Sequence, residues 1–180
     1  METFLGLLPH LIGLGLLLSL SFFFSGSETA LCALNRVQVE RMRESKRKSH
    51  IAIVNFVEDS RRLFITILLG NNFVNIAFAT VISSIIYEVF GENRGLAVGF
   101  STALITIMLL IFGEITPKVY AVNYAEKFSS VTARPLWFFS IFISPLRILL
   151  RYIVDLLLPL FGGNELSEEE NITPEEFKAI

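Results

Sequence analysis

The stretch "LLPHLIGLGLLLSLSFFFSGSETALCAL", Leu7–Leu34, decides the fold class of this chain. It is apolar for longer than the roughly 20 residues that a helix needs to cross a bilayer. No positive charge precedes it and "SFFFSGSE" is a poor cleavage site, so we interpret it as a retained span over about residues 9–34 rather than a secretory signal. Its second half is unexpectedly polar for a span, because it carries Ser21, Ser25 and Glu28.

Two more apolar blocks follow, at about residues 63–87 and 96–117. The chain has 180 residues, of which 53% are hydrophobic, and the excess over the about 45–50% of an ordinary soluble domain is concentrated in these blocks. The formal net charge of -2 gives no case for nucleic-acid binding, and a single cysteine excludes a disulfide framework. The predicted fold is therefore an all-α membrane protein with three transmembrane helices.

The charges of the loops predict the orientation in the lipid bilayer. Basic residues gather in loop 35–62 and after Pro117, whereas loop 88–95 holds one arginine and two glutamates. Under the positive-inside rule, loop 35–62 and the carboxy terminus are cytoplasmic and the amino terminus is outside. We expect a multi-pass protein of the cell (inner) membrane.

The other segments are expected at the cytoplasmic face. Apolar residues at helical spacing within residues 36–61 predict short amphipathic helices. A fourth apolar block, about residues 135–161, contains three prolines and two arginines, which favours an interfacial belt helix over a fourth span, although charge alone does not decide between them. Residues 1–161 would then form one transmembrane transport domain. Residues 162–180 are expected to be an acidic linker and the start of a helix that leads to a missing cytoplasmic region.

The polar residues of the first two spans form the first part of a candidate site. Ser21, Ser25 and Glu28 have the spacing i, i+4, i+7 of a single helical stripe. In the second span, "LLGNNFVNIAF" places Asn71 and Asn75 on one face, with Asn72 beside them. Counting 1.5 Å per residue from the flanking arginines, Ser25 lies roughly 16 Å deep and Asn71 about 14 Å deep. Interhelical hydrogen bonding explains each residue alone, but the matched depths favour a shared polar centre.

The third span ends in "IFGEITPKVY". Glu114 lies in an apolar run, where a carboxylate is expected to be functional. Pro117 has no N–H, so in an α-helical register it leaves the carbonyl of Gly113 without its donor. Lys118 is expected to pair with Glu114 when no ion is bound. A proline kink with an ordinary Glu–Lys pair is the alternative for this segment taken alone.

These hydroxyls, amides, carboxylate and carbonyl form an all-oxygen set. Such ligands suit Mg²⁺, Ca²⁺, Mn²⁺ or Na⁺, whereas Zn²⁺ and Cu⁺ prefer imidazole or sulfur. Both histidines, His10 and His50, fall near the two membrane faces rather than at the depth of the polar residues. An intramembrane serine hydrolase would need a base at that depth, so no enzymatic activity is expected.

Three motifs in this order, "FSGSETAL", "LLGNNFVNIA" and "FGEITPK", resemble the transmembrane module of the CorC/CorB and cyclin M family over about residues 5–161. The resemblance implies a magnesium transporter that exports Mg²⁺ in exchange for Na⁺. It also implies a homodimer, a following cytoplasmic CBS region, and a belt position for the fourth block. The residues that it assigns to ion binding are Ser21, Ser25, Asn71, Gly113 and Glu114.

A second group of residues is expected to support this site. Asn75 and Pro117 fit the family pattern, whereas Glu28 and Asn72 stand at positions where the family varies. Lys118 of the third span completes this group. The expected supporting residues are Glu28, Asn72, Asn75, Pro117 and Lys118. The sequence thus predicts Mg²⁺ transport by alternating access, with Na⁺ as the expected coupling ion. The alternative is a membrane scaffold or sensor whose polar centre is structural and which serves a cytoplasmic regulatory domain.

Overall fold

A computed structural model of the chain describes residues 2–90 and 94–157. Every regular element within these ranges is helical. The elements, in chain order, are α1 (Glu2–Cys32), α2 (Arg36–Arg43), α3 (Lys48–Glu58), α4 (Ser60–Phe90), α5 (Arg94–Met108), a π-helical segment (Leu109–Ile115), α6 (Thr116–Asn123), α7 (Ala125–Phe142) and α8 (Ser144–Leu157).

Three helical stretches of the described residues are long and apolar enough to cross a membrane. They are Pro9–Cys32, Ser60–Ile86 and Val98–Asn123. The three predicted spans are therefore confirmed, with one boundary that differs clearly. The third span continues past Pro117, because this proline lies in the first turn of α6 and the residue before α6, Ile115, is still in the right-handed helical conformation. At that position a proline fits a helix well.

The loop between the first two spans folds into the two predicted amphipathic helices, α2 and α3. A capping box begins α2: Asn35 Oδ1 accepts a hydrogen bond from the Gln38 amide at 2.8 Å, and Gln38 Oε1 accepts one from the Asn35 amide at 3.0 Å. Met42 of α2 and Ile53 and Phe56 of α3 are almost completely buried. Burial of these apolar side chains holds both helices against the ends of the spans.

The fourth apolar block begins earlier than the sequence predicted. α7 begins at Ala125, and Pro135 lies inside the helix instead of at the start of the block. The buried face of α7 combines small and apolar residues such as Ser129, Ala133 and Leu136. Packing of this face explains why the helix persists through a proline that costs it one backbone hydrogen bond.

α8 is a separate helix that follows Ile143. Pro145 occupies its first turn, which is the position that a helix tolerates best. By length and composition, α7 together with the start of α8 also qualifies as a broken span or a re-entrant loop, so the interfacial belt remains a prediction. The end of the predicted belt, 158–161, and the acidic linker, 162–180, lie outside the described residues.

Two apolar clusters lie at different levels along α1 and α4. The loop-side cluster joins both spans to α2, α3 and α7, and its members include Phe24, Leu31, Ile53, Phe56, Leu63, Ile67, Val74 and Leu136. The opposite cluster centres on Phe78, Ile82 and Ile86, packed by Leu14, Leu17, Leu18, Ile105, Met108 and Leu109. Ser21 and Asn75 lie between these two levels, whereas Ser25 and Asn71 lie at the level of the loop-side cluster. Apolar surroundings of this kind have a low local dielectric, which strengthens polar interactions.

A candidate cation site between three helices

Three hydroxyl groups of α1 are fully buried. Ser21, Ser25 and Ser27 each have 0% of their surface exposed. Ser27 is satisfied within its own helix, since its hydroxyl donates to the carbonyl of Phe23 at 2.6 Å. Ser21 and Ser25 belong to the polar stripe predicted from the sequence, and their surroundings differ from that of Ser27.

The hydroxyl of Ser21 joins α1 to α4. It donates a hydrogen bond to Oδ1 of Asn75 at 2.9 Å. This bond joins a polar residue of the first span to a polar residue of the second. A hydroxyl has one hydrogen and two lone pairs, so the bond to Asn75 fixes the Ser21 side chain and leaves both of its lone pairs for another partner.

One helical turn from that bond lie two buried oxygens that have no hydrogen-bond partner among the described residues. They are Oγ of Ser25 and Oδ1 of Asn71. α1 and α4 run antiparallel, because Ser21 meets Asn75 while the ring of Phe24 meets Gly70. In that register, Ser25 and Asn71 lie at the same level of the two helices.

The two unpaired oxygens require an explanation. A buried polar atom without a partner costs about 1–3 kcal/mol, and native proteins contain few of them. Both atoms belong to the stripe and face that the sequence predicted as ion ligands. Two oxygens in this arrangement are suited to bind a cation, for which a hydroxyl and an amide oxygen are ordinary ligands.

The third span approaches this group through Gly113. This glycine is buried, and a Cβ atom added to it would lie 2.6 Å from Oγ of Ser21. Real Cβ atoms essentially never lie this close to another atom, so a side chain at position 113 would force the Ser21 hydroxyl or the backbone of the third span to shift. The structure therefore brings Ser21, Asn75 and Gly113 together from three helices.

The backbone around Gly113 is π-helical, which the sequence did not predict. The amide of Thr116 donates to the carbonyl of Ile111, five residues back. The next donor in that register would be Pro117, which has no N–H, so the carbonyl of Phe112 receives no backbone hydrogen bond from that residue. π-Helical turns occur frequently at functional sites.

Glu114 follows Gly113 within the π-helical segment. Its side chain is partly buried, and its carboxylate makes no ion pair or hydrogen bond with any residue that the structure describes. An ionised carboxylate within a span is costly unless it has a partner. Glu114 is therefore the residue of the site with the greatest need for a positive charge.

Lys118 does not pair with Glu114, contrary to the prediction. Its Nζ lies 3.7 Å from a carboxylate oxygen of Glu28 on α1, and both side chains are partly exposed. The prediction assumed α-helical spacing, in which residues i and i+4 are neighbours. Because the π-helical turn holds more residues, four positions do not complete a turn there, and Lys118 faces α1 instead.

Asn72 lies apart from the polar centre. It is exposed, and its amide donates to the carbonyl of Leu68 in its own helix at 2.8 Å. The sequence predicted that Gly70 would allow a close neighbour but did not identify it. That neighbour is Phe24, whose ring fills the space where a Cβ of residue 70 would be and packs against the ring of Phe139 at 4.9 Å between centroids.

Comparison with known proteins identifies relatives over nearly the whole chain. A family model described as "Cyclin M transmembrane N-terminal domain" matches residues 12–180. A UPF0053 protein of Haemophilus influenzae is 31% identical over 163 residues, which cover 91% of this chain and 38% of that protein. The UPF0053 inner membrane protein YfjD of Escherichia coli is 28% identical over 162 residues, covering 89% of this chain and 37% of that protein.

A plant protein shows the same similarity. A chloroplastic DUF21 domain-containing protein of Arabidopsis thaliana is 30% identical over 167 residues, covering 93% of this chain and 25% of that protein. The chain thus spans only between 25% and 38% of the length of these three relatives. The similarity therefore concerns the part of each relative that matches this chain, whose helices are described above.

Proposed function

Because the chain belongs to the cyclin M transmembrane N-terminal domain family, a membrane family associated with Mg²⁺ transport, we propose that it carries Mg²⁺ across the membrane through the site between α1, α4 and the π-helical segment. The observation that carries the proposal is the pair of buried oxygens, Ser25 Oγ and Asn71 Oδ1, that have no hydrogen-bond partner. A transported cation at their level would satisfy both.

The proposed ligands are oxygens from all three spans. Ser21, Ser25 and Asn71 supply neutral side-chain oxygens, Gly113 supplies its carbonyl, and Glu114 supplies the single negative charge. Mg²⁺ requires near-octahedral coordination by oxygen and gives up its water reluctantly, so a site that replaces several waters needs most of these groups at once. In this proposal Asn75 is a positioning residue, because its side-chain oxygen accepts the hydrogen bond that the Ser21 hydroxyl donates and so orients that hydroxyl.

The transport cycle is proposed to be alternating access, with export of Mg²⁺ coupled to entry of Na⁺. Direction and coupling ion rest on the family resemblance alone. The same resemblance supports a homodimer and a following cytoplasmic CBS region, and the charges of the loops support an amino terminus outside the cell membrane. The Escherichia coli relative is named an inner membrane protein, which supports the expected location in the inner membrane.

The first experiment compares two buried serines of α1. Mg²⁺ binding to the purified protein in detergent is measured for the wild type, Ser25→Ala and Ser27→Ala, with Ca²⁺ and Na⁺ as competitors. Ser25→Ala should lose saturable Mg²⁺ binding and stay folded, because the hydroxyl that it removes forms no hydrogen bond with any residue in the described ranges. Ser27→Ala removes an equally buried hydroxyl that bonds only to its own helix, and it should bind Mg²⁺ like the wild type.

The scaffold or sensor function predicts a different pattern. The Ser21–Asn75 hydrogen bond favours it, since such bonds commonly hold membrane helices together without further function. If the centre is structural, Ser25→Ala and Glu114→Gln should leave cation binding unchanged relative to the wild type. Equal Mg²⁺ affinity in wild type, Ser25→Ala and Glu114→Gln would therefore contradict the transport site and support the scaffold.

A further inference from the structure

A groove separate from the candidate cation site runs between α3 and α7. It has a volume of about 270 Å³, and the residues of interest in its lining are Lys48, Ile51, Ala52, Arg134, Trp137 and Phe138. None of these residues belongs to the polar centre of the spans. The groove combines a cationic rim with an apolar floor.

The cationic rim consists of Lys48 and Arg134. Both side chains are exposed, and neither forms an ion pair with any acidic residue that the structure describes. Other basic residues of the same face do have carboxylate partners: Arg41 pairs with Glu126 and Arg43 pairs with Glu58. Within the described part of the chain, the groove is therefore a place where positive charge has no acidic partner.

The amino-terminal end of α3 adds to the positive potential of the groove. Lys48 is the first residue of α3, and the residue before it, Arg47, provides no side-chain hydrogen bond to the first turn. The first N–H groups of a helix carry a partial positive charge. Two cations and an uncapped helix end together favour an anion at this rim.

The floor of the groove is apolar and open. Ile51 is 50% exposed and Phe138 is 68% exposed. Ala52, which is buried, also lines the groove. A soluble anion would use the cations but would gain nothing from this floor. The volume is also slightly below the roughly 300 Å³ at which closed small-molecule sites begin, so it suits part of a larger amphipathic molecule.

We propose that this groove binds one anionic phospholipid from the leaflet on the side of loop 35–62. The phosphate-bearing headgroup contacts Lys48 and Arg134, and the first part of an acyl chain covers Ile51 and Phe138. Basic pockets beside membrane helices on the cytoplasmic side are known to hold anionic lipid headgroups. This proposal does not depend on Mg²⁺ transport, because no residue of the groove is a proposed ion ligand.

The chain offers a built-in probe of the groove. Trp137 lines it, and it is the only tryptophan of the protein. Bromine atoms on a lipid quench tryptophan fluorescence at short range. The experiment reconstitutes the whole chain in phosphatidylcholine vesicles and titrates in brominated phosphatidylglycerol or, in parallel, brominated phosphatidylcholine.

The expected result is saturable quenching by the anionic lipid at mole fractions where the zwitterionic lipid quenches little. The double variant Lys48→Gln/Arg134→Gln should lose this preference, with a roughly thirtyfold lower relative affinity for the anionic lipid. A matched control, Arg36→Gln/Lys46→Gln, removes one arginine and one lysine that are exposed but do not line the groove. It should keep the preference.

Three outcomes would overturn the proposal. Equal quenching by the two brominated lipids would show that the groove does not select anionic lipid. An equal loss of preference in both double variants would show that general surface charge is responsible. Complete displacement of the lipid by inorganic phosphate would show that the rim binds soluble anions. Circular dichroism of each variant establishes that its helices are intact before the titration.

Discussion

Lys118 on the third span pairs with Glu28 on the first span, with 3.7 Å between its Nζ and a carboxylate oxygen. The pair lies three residues along α1 from Ser25 and five residues along the third span from Gly113, at the loop side of the polar centre. It therefore leaves Glu114 without this lysine as its partner.

A double-mutant cycle should detect this choice of partner. Glu28→Gln and Lys118→Gln are expected to show a coupling free energy of up to about 1 kcal/mol, the range of partly exposed pairs. The cycle of Glu114→Gln with Lys118→Gln should show almost none. Unfolding in mixed detergent micelles gives the required free energies. A larger coupling in the second cycle would mean that Lys118 faces Glu114 in the purified protein.

Loss of the Ser21 hydroxyl should weaken the contact between α1 and α4. Ser21→Ala removes the interhelical hydrogen bond to Asn75, and such bonds contribute about 0.6 kcal/mol on average and up to about 1.7 kcal/mol in a membrane protein. The control is Ser19→Ala, since Ser19 is exposed and bonds only to the carbonyl of Gly15 in its own helix. Equal stability of the two variants would contradict the importance of the interhelical bond.

Replacement of Asn71 should separate ion binding from folding. Asn71→Leu removes a buried oxygen that has no hydrogen-bond partner, so we expect the protein to remain as stable as the wild type or to become more stable. Saturable Mg²⁺ binding should be lost. Asn72→Leu is the neighbouring control, because Asn72 is exposed and satisfied by Leu68, and it should retain Mg²⁺ binding.

A methyl group at Gly113 should disturb the meeting point of the three spans. Gly113→Ala would place a carbon 2.6 Å from Oγ of Ser21, and overpacking of this kind costs about 1–3 kcal/mol. Mg²⁺ affinity should fall because the third span must move away. Gly99→Ala is the matched control, since a Cβ there meets no atom within 4 Å. A fully stable Gly113→Ala variant with normal Mg²⁺ affinity would refute the close approach.

Hydropathy was sufficient to predict the spans and the level of the polar centre. Each span is a long apolar block, and the depth count placed Ser25 and Asn71 near each other because a helix rises by a constant amount per residue. The register of α1 on α4 agrees with that count. Regular geometry allows such predictions even without knowledge of the packing.

The errors arose where packing overrides local signals. The segment before Pro135 is polar, so the sequence predicted no apolar block there. α7 nevertheless begins at Ala125, because small residues on its buried face pack against the rest of the protein. The π-helical register surrounds the glycine that approaches Ser21, and no single motif in the sequence reveals that register. The wrong partner for Lys118 followed directly from the assumption of an α-helix at Glu114.

The π-helical segment also means that no single helical wheel describes the third span. An α-helix advances by about 100° per residue, and a segment that accommodates an additional residue turns everything after it by about that angle. α5 and α6 are therefore out of phase, although they belong to one continuous span. The deletion of one residue within Leu109–Ile115 would restore a common phase and rotate α6 against α1. The length of this segment thus determines which face of α6 meets the first span, independently of any side chain within it.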